Sequence, residues 1–176
     1  RTWTLEKINF TKDSRGFLPI PNAACDPGIT LRHGPHKGRL LVPSRVMPNY
    51  RKHEEGKGYT NAVYSDDHGK TWRLGAVDDS YGDGLNANET TVVELEDGTL
   101  YFNTRDQHGE AKGTRGAALS EDGGESFQSG SPDWKGFRPL AGVLDPPVVQ
   151  CALLGAGKGL IVFSGPDENG PSGKGR

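Results

Sequence analysis

This chain of 176 residues has few cysteines, only a small excess of negative charge and no extended apolar stretch. The two cysteines, Cys25 and Cys151, make neither a disulfide framework nor a zinc site, and we read them as buried thiols. No apolar run approaches the roughly 18 residues that cross a membrane as a helix. The five histidines stand in turn-like segments without metal-ligand spacing, so the sequence predicts no metal and no cofactor.

The net charge of −2 provides no overall attraction to nucleic acid or to an anionic membrane, so neither is expected as a partner. Hydrophobic residues make up only 32% of the chain, whereas 26 glycines and 12 prolines account for about a fifth of it. Many turns between short strands explain such a composition. Apolar clusters at regular spacing argue against disorder, and we therefore predict an all-β protein.

One plan of strand, turn and strand occurs three times along the chain. Each copy has an apolar strand, a short turn that ends in glycine, and a second apolar strand; the turn glycines are Gly38, Gly98 and Gly159. These glycines lie 60 and 61 residues apart, and a fixed period of this size is typical of a repeat architecture. The strands are predicted at residues 28–31 and 39–43, 91–95 and 99–102, and 149–154 and 160–163.

Further strands are predicted at residues 61–64 and 116–119, and each continues into a polar hairpin that ends in an aromatic residue. Each period therefore holds about four strands, which is the content of one propeller blade. No segment shows a sustained helical period. We predict an all-β β-propeller of four-stranded antiparallel blades, about three blade periods long, with residues 1–176 forming one partial propeller domain.

The two polar hairpins share the pattern Ser-x-Asp-x-Gly-x-Thr-Trp, the Asp box. The match is complete in the first hairpin, at Ser65, Asp67, Gly69, Thr71 and Trp72. It is conservative in the second, at Ser120, Asp122, Gly124, Ser126 and Phe127. The aspartate can accept hydrogen bonds from turn amides, and the glycine can supply a positive φ. We interpret both boxes as structural and expect them at the blade end away from the active site.

With the boxes and the period together, the chain resembles the bacterial-type exo-sialidases, a family of six-bladed propellers. The resemblance covers roughly residues 23–176 and is most specific in residues 28–40, 64–72 and 88–105. It implies hydrolysis of terminal α-linked sialic acid from glycoproteins, glycolipids or oligosaccharides, with retention through a tyrosine nucleophile. It also implies a sialylated glycan as the substrate and a secreted or periplasmic location.

The last of these segments carries, in the family, a catalytic glutamate and, sixteen residues later, one arginine of a substrate-binding triad. Glu89 and Arg105 stand at this spacing. A guanidinium suits the role because it binds a carboxylate, such as that of sialic acid, through two parallel hydrogen bonds. A glutamate suits the other role because a tyrosine, with a pKa of about 10, needs a carboxylate to take its proton. We place Glu89 before the first strand of the hairpin and Arg105 after the second, at one end of the blade.

Four other charged residues stand near the predicted strands and turns of the repeats. The resemblance implies that Arg176, in the loop after the third repeat, is a second substrate-binding arginine. Arg45 stands at the point of its own blade that corresponds to Arg105, but the resemblance supplies no role for it. Glu94, within a strand, and Glu96, in a turn, are predicted to be ordinary surface acids.

The family mechanism also needs another arginine, an aspartate acid/base and the tyrosine, and no residue of this chain occurs in the matching context. We therefore expect a fragment that is inactive when isolated, with the remaining blades of a full-length chain as its partners. Two alternatives stay open. A non-catalytic Asp-box propeller that binds glycan or protein would need no pair such as Glu89 and Arg105. A propeller glycosidase for neutral sugars would need no arginine cluster. The residues do not distinguish hydrolysis from transfer or lyase-type chemistry.

Overall fold

The computed structural model of the chain describes residues 2–5, 8, 10, 12, 28–46, 59–78, 85–106, 114–128, 136–140, 142–144, 146 and 148–166. Within these ranges there are ten strands and no helix. The strands are β1 (Ile29–Thr30), β2 (Leu40–Val46), β3 (Tyr59–Ser65), β4 (Arg73–Asp78), β5 (Ala87–Glu94), β6 (Leu100–Asp106), β7 (Arg115–Ser120), β8 (Arg138–Pro139), β9 (Ala152–Gly157) and β10 (Leu160–Ser164). The described part of the chain therefore has no helix that could span a membrane.

The strands form three antiparallel sheets, each built from consecutive hairpins. The first sheet has the order β1-β2-β3-β4, the second has the order β5-β6-β7-β8, and the third pairs β9 with β10. The three predicted turn glycines, Gly38, Gly98 and Gly159, all have positive φ, at 95°, 88° and 72°. The predicted all-β architecture and its four-stranded sheets are thus confirmed for two of the three periods. The third period shows two strands among the described residues.

The hydrophobic core lies between the first and second sheets. It is formed by buried apolar side chains of both sheets and of the segment before β8: Leu31, Leu41, Ala62, Leu85, Ala87, Val92, Leu100, Phe102, Ala118 and Phe137. Phe127, the aromatic residue of the second Asp box, packs edge-on between Phe102 and Phe137, with ring centroids 5.2 Å from each. Each such aromatic pair contributes about 0.5–1.5 kcal/mol beyond the burial of its area. Phe127 of the second Asp box therefore packs against other aromatic side chains although it stands where the first box has Trp72.

Both Asp boxes are self-contained hydrogen-bonded turns. In the first, Thr71 donates to Asp67 from its backbone (2.9 Å) and its hydroxyl (2.7 Å), and Ser65 donates to the same carboxylate (2.8 Å). The hydrogen bonds from Thr71, followed by that from Ser65, hold the pKa of Asp67 well below its usual value. The second box repeats these contacts around Asp122. The structural interpretation of the boxes is confirmed by this geometry.

The second Asp box also joins the two four-stranded sheets. The amide of Ala76 in β4 donates to the carbonyl of Gly124 (2.8 Å). Gly75 and Gly124 allow this approach, because a Cβ on Gly75 would overlap with Gly124 O and a Cβ on Gly124 would overlap with the Leu41 side chain. The φ of Gly124 is also positive, at 90°. Backbone therefore meets backbone at this point of the interface.

A buried arginine supports the same junction. Arg39, at the start of the β2 hairpin, donates to both oxygens of Asp66 (2.8 and 3.0 Å) beside the first box. It also donates to Gly123 O (3.1 Å) and to Glu125 (2.9 Å) in the second box. The hydrogen bonds from Arg39 lower the pKa of Asp66. One guanidinium thus connects the two Asp boxes across the sheets.

Glu94 is partly exposed and Glu96 is exposed, as predicted for surface acids, but each carboxylate also binds the backbone of a neighbouring sheet. Glu94 accepts hydrogen bonds from the amides of Arg32 (2.6 Å) and His33 (2.9 Å) in the β1–β2 turn. Glu96 accepts one from the amide of Lys158 (2.6 Å) in the β9–β10 turn. One hairpin of the second sheet therefore contacts the turns of both other sheets. The sequence pattern could not show this, since the donors lie about 62 residues away.

Candidate active site

The second sheet has two ends of different character. The box end holds the β5–β6 turn at residues 94–100 and the second Asp box at residues 120–127. The site end holds residues 86–90, 103–106 and 114–115. Along the unbroken ladder between β6 and β7, Leu100 pairs with Ser120 at the box end and Arg105 pairs with Arg115 at the site end. Five residues of strand separate the ends by about 17 Å. Both Asp boxes lie at the end opposite to the site, as predicted.

A β-bulge shapes the site end. Residues 87–90 of β5 lie opposite residues 104–106 of β6, so β5 contributes one more residue than its partner. Such an insertion re-aims side chains and is over-represented next to active sites. Glu89 lies within the bulge, opposite Arg105. The register of the sheet, together with this extra residue, brings the two side chains to one place.

Glu89 and Arg105 form an ion pair, with Arg105 Nη1 3.0 Å from Glu89 Oε2. The Arg105 side chain is 19% exposed and the Glu89 side chain 23% exposed, so both remain accessible from solvent. The two residues joined by the spacing in the sequence are thus adjacent in the structure. Their catalytic and substrate-binding roles stay predictions.

Both residues lie inside strands, which corrects the prediction that they flank the hairpin. β5 begins two residues before Glu89, and β6 continues one residue past Arg105. The strands extend beyond their apolar stretches because buried polar residues continue them: Asn103 and Thr104 are fully buried, and Thr90 is 3% exposed. Their side chains hydrogen-bond within the sheet, so a polar residue here does not mark a strand end.

Two further arginines lie at the site end. Arg115 is 1% exposed; its Nε donates to Asn103 Oδ1 (2.8 Å) and its Nη1 to Val149 O (3.0 Å) in the segment before β9. Arg45 is 9% exposed, and its Nη2 lies 3.5 Å from Asn86 Oδ1. Arg115 was not singled out from the sequence. Its position opposite Arg105 in the hairpin was the signal that could have found it.

Acidic groups balance part of this charge. Asp106, 2% exposed, accepts a hydrogen bond from the amide of Asn86 (2.9 Å). Asp78, 6% exposed, accepts one from the amide of Phe137 (3.1 Å). Charges held in a largely buried setting interact more strongly than charges in water. The site end is therefore a polar cluster with accessible guanidinium and carboxylate groups, suited to bind an anion beside an acid or base.

Other predicted residues fall elsewhere. Arg176 and Cys25 lie outside the described residues. Cys151 is buried, with its Sγ 3.7 Å from Val149 O. Among the residues that the structure describes, no group of three His, Cys, Asp or Glu side chains is arranged to hold a metal ion.

Comparison with known proteins agrees with this architecture. Residues 2–162 match the BNR repeat-like domain. The chain belongs to this family. Curated proteins similar to the chain include sialidases. The chain is 42% identical over 105 residues to the sialidase of Micromonospora viridifaciens and 30% identical over 148 residues to that of Clostridium perfringens. These matches cover 60% and 80% of the chain but only 14% and 33% of the two relatives.

Among solved structures, a Hadza microbial sialidase superposes with a TM-score of 0.50 over 73% of the chain and 21% of that protein, at 24% identity. This likeness bears on the fold alone. The predicted resemblance to sialidases and the predicted fold class are confirmed: the chain is related to the sialidases and is built from β-propeller sheets. The chain spans a third or less of the length of each relative named above.

Proposed function

We propose that this chain is part of an exo-α-sialidase and contributes the catalytic Glu89 and the substrate-binding Arg105. The observation that carries the proposal is the 3.0 Å contact between these side chains at a β-bulge, at the end of the sheet opposite to the Asp box. The kinship with sialidases supports it. The substrate is a terminal α-linked sialic acid of a glycoprotein, glycolipid or oligosaccharide, and the location is secreted or periplasmic.

Arg105 binds the carboxylate of the sugar. A guanidinium has five N–H donors in a planar fork, so one contact to Glu89 through Nη1 is compatible with a paired contact to a carboxylate. Partial burial strengthens such charge-assisted hydrogen bonds relative to water. A neutral sugar has no group that requires this arginine, which favours an acidic sugar. Arg176 is proposed as a second arginine of the same role.

Glu89 activates the nucleophile. In the proposed retaining mechanism, Glu89 takes the proton of a tyrosine hydroxyl while the tyrosine oxygen bonds to the anomeric carbon. The glycosidic bond breaks, and an aspartic acid protonates the leaving oxygen. Water then attacks the anomeric carbon and displaces the tyrosine; the water gives one proton to the aspartate, and Glu89 returns its proton to the tyrosine. A neutral nucleophile avoids repulsion by the substrate carboxylate. The tyrosine and the aspartate are proposed to come from other blades of a longer protein.

The test compares the intact protein with residues 1–176 alone. We expect the intact protein to hydrolyse a fluorogenic α-sialoside and not the matched β-galactoside, and we expect NMR to show the α-anomer as the first product. The isolated chain, checked for folding by circular dichroism, should show no turnover, because partial catalytic sets recover little rate. Turnover by the folded isolated chain would refute the assignment of the missing groups. Glycan binding without turnover by the intact protein would favour a non-catalytic propeller.

A further inference from the structure

The bulge that carries Glu89 interrupts the hydrogen-bond ladder between β5 and β6. On its other side β6 is fixed, because the β6–β7 ladder continues without a shift from Leu100 to Arg105. The position of Arg105 is therefore set by regular pairing, whereas that of Glu89 needs other contacts. Backbone groups that a bulge removes from the ladder must find partners elsewhere when they are buried.

Two buried threonine hydroxyls provide those partners. The amide of Asn88 donates to Thr104 Oγ1 (3.0 Å), and Thr90 Oγ1 lies 2.8 Å from Thr104 Oγ1 and 2.9 Å from Asn88 O. Each hydroxyl can donate one hydrogen and accept others. If Asn88 N–H donates to Thr104, the Thr104 hydroxyl to Thr90, and the Thr90 hydroxyl to Asn88 C=O, every one of these groups has a partner. We call this set the hydroxyl ring; longer contacts also join Thr60 Oγ1 to Asn88 O (3.5 Å) and Thr104 Oγ1 to Arg105 O (3.4 Å).

The packing around Thr104 holds its hydroxyl toward the bulge. Thr104 is fully buried, and its methyl group faces Gly116 of β7 so closely that a Cβ on Gly116 would lie 2.9 Å from it. The methyl side is thus filled by β7, and the hydroxyl side meets Asn88. Thr104 directly precedes Arg105 in β6, so one residue links the fixed strand of Arg105 to the bulge of Glu89.

We propose that Thr104 and Thr90 are positioning residues for catalysis: their hydroxyl ring holds the bulge so that the Glu89 carboxylate meets the Arg105 guanidinium. This inference rests on the proposed function. Neither threonine contacts the substrate in this role. They act through the backbone of residues 88–89, and their effect should fall on kcat more than on KM, because misplacement of a reacting group costs mainly rate.

The experiment uses the intact protein with Thr104→Val, which keeps the shape and removes the hydroxyl, and Thr104→Ser, which keeps the hydroxyl. The control is Thr91→Val, an equally buried threonine of β5 that is outside the hydroxyl ring. Thr90→Val and Thr90→Ser repeat the test at the second hydroxyl should Thr104→Val fail to fold. The readouts are kcat and KM on the fluorogenic sialoside, hydrogen exchange of the Asn88 amide, and the Arg105–Glu89 distance in crystals.

We expect Thr104→Val to lower kcat by about 10- to 100-fold with a smaller change in KM, to speed exchange at Asn88 and to lengthen the 3.0 Å contact. Thr104→Ser and Thr91→Val should behave like the unmodified protein. Equal losses in Thr104→Ser or Thr91→Val, or an unchanged kcat and contact in Thr104→Val, would overturn the inference. If the unmodified protein hydrolyses no sialoside, the proposed function fails, while exchange at Asn88 and the crystal distance still decide whether the hydroxyl ring positions Glu89.

Discussion

The turn of the second Asp box and the site end of the second sheet are held by polar contacts of very different range. Within the second Asp box, each hydrogen bond connects residues no more than four positions apart. At the site end, Glu89 meets Arg105 sixteen positions away, and Arg45 reaches Asn86 across 41 positions. The same four strands run to both ends. The turn of the Asp box is therefore specified locally, and Arg39 then links it to the first sheet, whereas the site exists only when strands and sheets have assembled.

The Asp box and the site end differ in how much of their structure is specified by residues nearby in the chain. An Asp box carries its own hydrogen-bond partners, so it can be copied from blade to blade with little dependence on its neighbours. The site end depends on a bulge, a hydroxyl ring and side chains from two sheets. Substitutions within the Asp boxes should therefore change stability, and substitutions of the partly exposed Glu89 and Arg105 should change catalysis more than folding.

The largest effect is expected for Glu89→Gln. The amide keeps the size of the side chain but cannot take a proton, so kcat of the intact protein should fall by about 10²- to 10⁴-fold. Thermal unfolding should change little. The matched control is Glu121→Gln, the same chemical change at an exposed residue of the box end. Equal activity of the Glu89 and Glu121 variants would remove Glu89 from the mechanism.

Arg105→Lys is expected to have the next largest effect. A point charge replaces the planar fork, and loss of a paired carboxylate contact should cost about 1.5–3 kcal/mol, or roughly 10- to 150-fold in kcat/KM. Steady-state kinetics on the sialoside measures this. Arg138→Lys, at an exposed position of β8 in the same sheet, serves as the control. An unchanged kcat/KM for Arg105→Lys would show that Arg105 does not bind the substrate carboxylate.

At the box end, Gly124→Ala should destabilise the fold and leave the remaining activity of folded molecules unchanged. The new methyl would overlap with Leu41 and separate the sheets, at a cost of about 1–3 kcal/mol. Gly142→Ala is the matched control, since its φ is also positive (73°) but open space surrounds it. The difference between the two variants in unfolding free energy, measured with urea, gives the cost of the overlap with Leu41. A similar loss in both would assign the effect to backbone conformation alone.

The smallest effect is expected for Asp67→Asn, and it should depend on pH. The pKa of Asp67 is lowered in the folded state, mainly by Thr71, so its charged form stabilises the fold above the unfolded pKa of about 3.9. That contribution declines as the pH falls below about 4. The difference in unfolding free energy between the unmodified protein and the Asp67→Asn variant, measured with urea, should therefore shrink from pH 7 to pH 3. A constant difference across this range would point to geometry rather than charge.

The local features of the fold were predictable from sequence. Strand pairs, turn glycines and Asp boxes depend on residues close in the chain, and all three are present, although β9 (Ala152–Gly157) begins three residues later than the strand predicted at residues 149–154. Glu89 and Arg105 were found through a resemblance and a spacing. The bulge was not, because an extra residue in one strand becomes visible only in the register with the next.

Contacts between sheets were the main omission. Arg39 and Glu94 are charged residues in a turn and a strand, a pattern typical of exposed side chains. Each of them has a partner in another period of the repeat, so no local window contains both members of that contact. Buried threonines such as Thr104 were equally hidden, since the hydroxyl that satisfies a bulge has the same sequence signal as one that faces water.

The carboxylates of Glu94 and Glu96 bind backbone amides rather than side chains of the neighbouring turns. Every amino acid except proline offers such an amide, so these turns can change in side chain while the joints between the sheets persist. The positive φ of 55° at residue 158 restricts which amino acids fit there, whereas residues 32 and 33 carry no such restriction. The side chains at these two positions of the β1–β2 turn can therefore vary, and a proline at either one would remove one hydrogen bond of the joint without altering Glu94.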